Sequence, residues 1–95
     1  MSGGVRLDLN FPGFQDQLFG LDAGELRQVV KTLRKVSRLS WQQVHADQRL
    51  KWEELKSAKG RFTIRVTQRC RAVVIREGEF MRSLALHFDH DSAYG

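Results

Sequence analysis

The strongest constraint on this chain is the polarity pattern of its last third. Phe62, Ile64 and Val66 alternate with Arg61, Thr63, Arg65 and Thr67. A period of two is the signature of a strand with one apolar and one polar face. Arg71 to Arg76 reads Arg-Ala-Val-Val-Ile-Arg, a nearly continuous apolar run that predicts a buried central strand. Glu77-Gly78-Glu79 supplies a turn with its glycine in place, and Phe80 to Phe88 makes a third strand. Gln68-Arg69 is a tight connection between the first two, although it lacks the Asn-Gly pair that favours such turns.

Three antiparallel strands with one apolar face need a cover, and the upstream residues supply it. Val5 to Phe11 alternates and predicts a short first strand, ended by Pro12-Gly13. A short helical piece is expected over Phe14 to Phe19. Asp22 with Glu25 marks the start of a longer helix. Leu26, Val29, Val30, Leu33 and Val36 make its apolar stripe. Ser40 with Gln43 is a second capping pair, opening a short helix through His45 or Ala46, with Trp41 and Val44 facing the core. Leu50 to Leu55 is readable as a strand or as a helical turn, and Ser57 to Gly60 as a loop. Helices grouped before a run of strands predict an α+β class. The expected architecture is a small antiparallel sheet of the first strand, a short strand and the meander. Two or three N-terminal helices pack on one face, in a single domain over residues 1–95.

With 95 residues and 41% hydrophobic side chains, the chain supports a packed but thin core. No stretch approaches the ~20 apolar residues of a membrane span. Met1 to Arg6 has no apolar run after a basic start, as a secretory signal requires. Cys70 is the only cysteine, and a cytoplasmic setting is the simplest expectation. As a small residue near a strand turn, it reads as packing rather than as a nucleophile.

Charge is unevenly placed. Residues 1–60 hold ten basic and seven acidic side chains, a net of +3, whereas residues 61–76 hold five arginines, no lysine and no acid. The guanidinium fork suits phosphate. Such a stretch points to an anionic partner, either nucleic acid or an acidic protein. Arg27, Lys31, Arg34, Lys35 and Arg38 on the long helix read as a solvated face, with an RNA-facing ridge as the alternative.

RNA cleavage without a metal needs a base for the 2′-hydroxyl, a cation for the charge building on phosphate and an acid for the 5′-oxygen. Glu53 and Glu54 ahead of the meander, Arg65 and Arg71 on neighbouring strands, and His87 and His90 after it offer these types. His87, Asp89, His90 and Asp91 also offer metal ligands, but strand alternation separates the two histidines, and surface turn residues are the more ordinary reading. Trp41 and Trp52 lie on apolar stripes and read as core.

Three segments are familiar together: Trp52-Glu53-Glu54-Leu55-Lys56; Phe62 to Val66 followed by Cys70-Arg71-Ala72-Val73-Val74; and the ending His90-Asp91-Ser92-Ala93-Tyr94. In this order the run from Trp52 to Tyr94 resembles the RelE/ParE toxin superfamily of bacterial type II toxin–antitoxin systems, most closely its YoeB-like branch of ribosome-dependent mRNA interferases. The earlier helices match in order and rough length only. The resemblance implies a metal-independent endoribonuclease that inhibits translation and carries no cofactor. It implies Glu53 as general base, Arg71 as phosphate stabiliser and Arg65 as its companion. Lys56, at the family's spacing from Glu53, reads as a phosphate contact without chemistry, and Arg61, Arg69 and Arg76 read most simply as an electrostatic rim. The branch's acid is a histidine followed at once by a tyrosine. Here His90 and Tyr94 are four apart, so His87 competes with His90 as acid, or contacts RNA. Tyr94 joins the site or only stacks or packs. The implied partners are an antitoxin that is acidic and folds on binding, and the ribosome with its mRNA. The assembly is a homodimer or a toxin–antitoxin hetero-oligomer. Two other functions share the fold: a ParE-like, non-enzymatic inhibitor of DNA gyrase, and an inactive homologue that only binds antitoxin.

Overall fold

A computed structural model describes residues 4–88. Five strands and three helices follow in the order β1 (Arg6–Asp8), α1 (Pro12–Phe19), α2 (Ala23–Val36), α3 (Trp41–Ala46), β2 (Glu53–Glu54), β3 (Phe62–Arg65), β4 (Cys70–Glu77) and β5 (Phe80–Phe88). The strands form one sheet in the order β1-β5-β4-β3-β2.

The α+β class and the antiparallel meander are as expected, with one change. β1 lies parallel to β5, Leu7 opposite Met81, so the sheet is mixed rather than wholly antiparallel. The helices make this parallel pairing feasible, because the whole helical segment acts as a long crossover from one sheet edge to the other. Pro12 does not end β1 into a turn. It begins α1, where its missing N–H costs no helical bond and its fixed φ is already helical.

Helix ends follow local chemistry. Asp22 Oδ1 accepts from the Glu25 N–H at 2.8 Å. Ser40 and Gln43 bond reciprocally at the start of α3, a complete capping box. On α2 the buried stripe is Val29, Leu33 and Val36; Val30 is 47% exposed and leaves it. One core cluster unites Phe14, Val29, Leu33, Val36, Val44 and Leu50 with Ile64, Ala72, Val74, Met81 and Leu86. Beside it Trp52 stacks on Phe62 (4.4 Å between centroids) and meets Trp41 edge-on at 5.4 Å. Both tryptophans thus pack rather than stand free.

The ambiguous Leu50 to Leu55 segment resolves into a turn and a two-residue edge strand. Glu54 Oε2 accepts from the Gly60 N–H at 2.8 Å, closing the loop at a residue with φ of +84°, a conformation that glycine adopts without strain.

β5 departs from simple alternation. Val73 pairs with Ala85 but Val74 pairs with Ser83, so Leu84 is an extra residue. This bulge shifts the phase by one. It allows Met81 and Ser83 before it, and Leu86 after it, to point into the same core. The Gln17 amide both donates to the Leu86 carbonyl and accepts from its N–H, each at 2.8 Å. It satisfies the edge of β5 beyond the end of β1, as a neighbouring strand would.

Candidate functional site

The helices cover one face of the sheet and leave the other open. Partners across a ladder share a face, so the register shows what the open face carries. Arg65 on β3 pairs with Arg71 on β4, and Arg71 pairs with His87 on β5. Three cationic or protonatable side chains therefore stand in one row across three strands. The next row along is Glu53, Thr63, Val73 and Ala85. Val73 and Ala85 make a small, half-buried apolar patch, and the buried Thr63 lies between it and the Glu53 carboxylate.

The bulge is what places His87 here. Without the extra Leu84, burial of Met81 and Ser83 would send His87 toward the core. Glu53 lies two strands across and two residues along from Arg71, about 12 Å between Cα atoms from strand spacing and rise. A glutamate and an arginine can both reach a group bound between them. Glu53, Arg71 and His87 are all exposed.

None of the row is neutralised within the described residues. The ion pairs found there are Lys35 with Asp47, and Arg82 with Asp8 and Glu77. The structural pairing of Arg71 with Glu53 or Glu54 is therefore not what holds these groups. Glu54 instead closes its loop on Gly60, while the Glu53 carboxylate makes no hydrogen bond or ion pair among the described residues. Like charges directly opposite each other destabilise a sheet, so Arg65 facing Arg71 costs stability that an anion would restore.

The other sequence-derived residues divide. Arg69 sits in the β3–β4 turn beside the row. Arg61 precedes β3, roughly 14 Å along the strand from Arg65, and Lys56 lies in the loop before it, so both belong to the far end of the face. Arg76 leaves the set. Its guanidinium lies 4.2 Å from the Trp41 ring centroid, and its Nε donates to the Gly78 carbonyl. His90 and Tyr94, with Asp89 and Asp91, lie outside the described residues. Among the described residues no cluster of three or more His, Cys, Asp or Glu could hold a metal ion.

Cys70 is buried. Burial first, and the Glu25 carboxylate second, push its thiol pKa up to about 11, the opposite of what a nucleophile needs.

A recess at the β3 end of the row was not foreseen from the sequence. It encloses about 350 Å³ and is lined by Lys31, Thr32 and Lys35 of α2, Arg49 and Leu50, and Arg65, Val66 and Thr67. Arg49 carries no sequence signal, because only the fold brings the α3–β2 connection beside α2.

A five-stranded mixed sheet with helices on one face, and on the other an Arg-Arg-His row that no acid pairs among the described residues, defines a basic α+β domain suited to an anionic ligand. No protein-family model matches the sequence, and no curated protein matches it at a significant level. Solved structures do match over nearly the whole chain. A conserved hypothetical protein from Helicobacter pylori is 22% identical, with a TM-score of 0.61 over 92% of this chain and 94% of that one. A chain of the RelB–RelE antitoxin–toxin complex from Methanococcus jannaschii superposes with a TM-score of 0.57 at 13% identity, over 95% of each. The YoeB/ParE toxin from Agrobacterium tumefaciens gives 0.57 at 18% identity, over 90% of this chain and 96% of that one. The chain has the fold of RelE/ParE-type toxins, in agreement with the resemblance of residues 52–94. At these identities the likeness establishes the fold.

Proposed function

We propose that this protein is the toxin of a type II toxin–antitoxin pair and cleaves mRNA at the ribosome. The observation that carries the reading is the Arg65–Arg71–His87 row, without an acid partner among the described residues, with Glu53 in reach on the same face. In this scheme the Glu53 carboxylate takes the proton of a ribose 2′-hydroxyl. The freed 2′-oxygen attacks the adjacent phosphorus. Arg71, helped by Arg65, stabilises the extra negative charge as the phosphate becomes five-coordinate. The bond to the 5′-oxygen breaks and His87, opposite Arg71, supplies the proton that oxygen needs. The products are a 2′,3′-cyclic phosphate and a 5′-hydroxyl. Val73 and Ala85 form a floor on which a nucleoside can lie. Arg69, Arg61 and Lys56 contact flanking phosphates, and His90 and Tyr94 remain candidates for the same site. An antitoxin presenting carboxylates would neutralise the row and silence it.

The test is cleavage of an mRNA in a translating extract, with mass spectrometry of the new ends. Cuts ending in a 2′,3′-cyclic phosphate, lost in Arg71→Ala, support the proposal. Intact mRNA with inhibition of gyrase supercoiling would replace it with the ParE-like function.

A further inference from the structure

The basic recess beside α2 is separate from the catalytic row in chemistry but touches it at Arg65. Three segments distant in sequence converge there: α2 with Lys31 and Lys35, the α3–β2 connection with Arg49, and the end of β3 with Arg65. The acid that faces them is Asp47, which is already fully engaged. Its Oδ2 holds Lys35 Nζ at 3.0 Å, and its Oδ1 accepts from the N–H groups of Arg49 and Leu50 at 2.8 and 3.1 Å. Counting Lys31, Lys35, Arg49 and Arg65 against Asp47 leaves three positive charges around about 350 Å³. Thr32 Oγ1 donates to the Val66 carbonyl at 2.7 Å, fixing the wall between helix and sheet. A solvated helix face spreads its cations outward over one element. Here they come from three elements to one concavity, and Asp47 holds two of those elements, α2 and the α3–β2 connection, in place.

We infer that this recess is a second phosphate subsite, taking a backbone phosphate of the RNA strand next to the one cleaved. The inference rests on the proposed cleavage at the open face. Arg65 joins the two places, so a single strand crossing the Arg71 row passes over the β3 end of the sheet and into the recess. Arg49 and Lys31 donate to the phosphate oxygens there. Lys35, tied to Asp47, keeps the recess open and contributes its field.

The experiment is fluorescence anisotropy with a labelled 12-nucleotide single-stranded RNA carrying 2′-O-methyl groups, which cannot be cleaved by 2′-hydroxyl attack, titrated at several salt concentrations. The variants are Lys31→Ala/Arg49→Ala, Arg71→Ala and the charge-matched control Arg27→Ala/Arg34→Ala, whose positions on α2 do not line the recess. The recess variant should bind at least about tenfold more weakly at low salt, as expected when charge-assisted hydrogen bonds to a phosphate are lost. The slope of log affinity against log salt should become shallower by about 0.7, the value for one phosphate contact on a single strand. The control should keep the slope. Equal effects from recess and control variants, or no effect from the recess variant while Arg71→Ala weakens binding, overturn the subsite and leave the open face standing. Weakening by the recess variant alone would keep a phosphate site but remove the open-face reading on which its role depends. No binding by the unaltered protein overturns the subsite.

Discussion

Replacing Arg71 by Gln should raise stability while removing activity. Arg71 stands opposite Arg65 on one side and His87 on the other, and no acid pairs with it among the described residues. A directly opposed like-charge pair on a sheet costs roughly 0.2–1 kcal/mol, and exposure to solvent keeps the value in the lower half of that range. Glutamine keeps part of the aliphatic stem and removes the charge. For a chain of this size 1 kcal/mol corresponds to roughly 4–8 °C in Tm, so a gain of about 1–4 °C is expected in low salt. It should shrink as added salt screens the repulsion. Loss of a preorganised charge stabiliser costs roughly 10²–10³ in rate, so mRNA cleavage should fall by that factor. Differential scanning calorimetry and a cleavage time course on the same preparations make the comparison. A Tm that falls instead would mean that Arg71 is held by a structural ion pair, and the argument from an unneutralised row would fail.

Three further outcomes follow from the core and its edges. Ser83 is fully buried and its hydroxyl has no partner among the described residues, so Ser83→Ala should stabilise by about 1 kcal/mol in urea unfolding, the penalty of an unmatched buried polar group being removed; a loss of stability would show that the hydroxyl is satisfied. Cys70, with its thiol at about 11, should react with a thiol reagent at pH 8 far more slowly in the folded protein than in denaturant, whereas prompt reaction of the native form would contradict its burial. Burial works against the charge of Asp47, but hydrogen bonds from Lys35, Leu50 and Arg49 outweigh it and hold the carboxyl below its usual range. Its stabilising contribution is therefore complete above pH ~4 and lost as pH falls through the lower, folded value. Asp47→Asn should be less stable than the parent at pH 6, and the gap should close toward pH 2.

Much of the fold was legible because its signals are local. Period-two alternation marked β3, the apolar run marked β4, and Ser40 with Gln43 marked α3 within a residue. What escaped was set by contacts distant in sequence. The parallel direction of β1 depends on where the helices deliver the chain, and Pro12-Gly13 serves equally well as a turn or as a helix start until that is known. Val30 has the right spacing for the α2 stripe, but the sheet reaches only as far as Val29, Leu33 and Val36. The site divided in the same way. Arginine content on β3 and β4 was readable, and strand polarity put Arg65 on the polar face. His87 needed the Leu84 bulge, a register event without a glycine or proline to announce it. Arg49 needed the packing of the α3–β2 connection against α2.

The most direct test of the central claim is primer extension on an mRNA in translating ribosomes, with wild-type protein beside Glu53→Gln and Arg71→Gln, each checked for its fold by circular dichroism. The account predicts ribosome-dependent cuts by the wild type and their loss in both folded variants. Cuts of wild-type intensity from either variant would contradict the assignment of the open face as the catalytic surface.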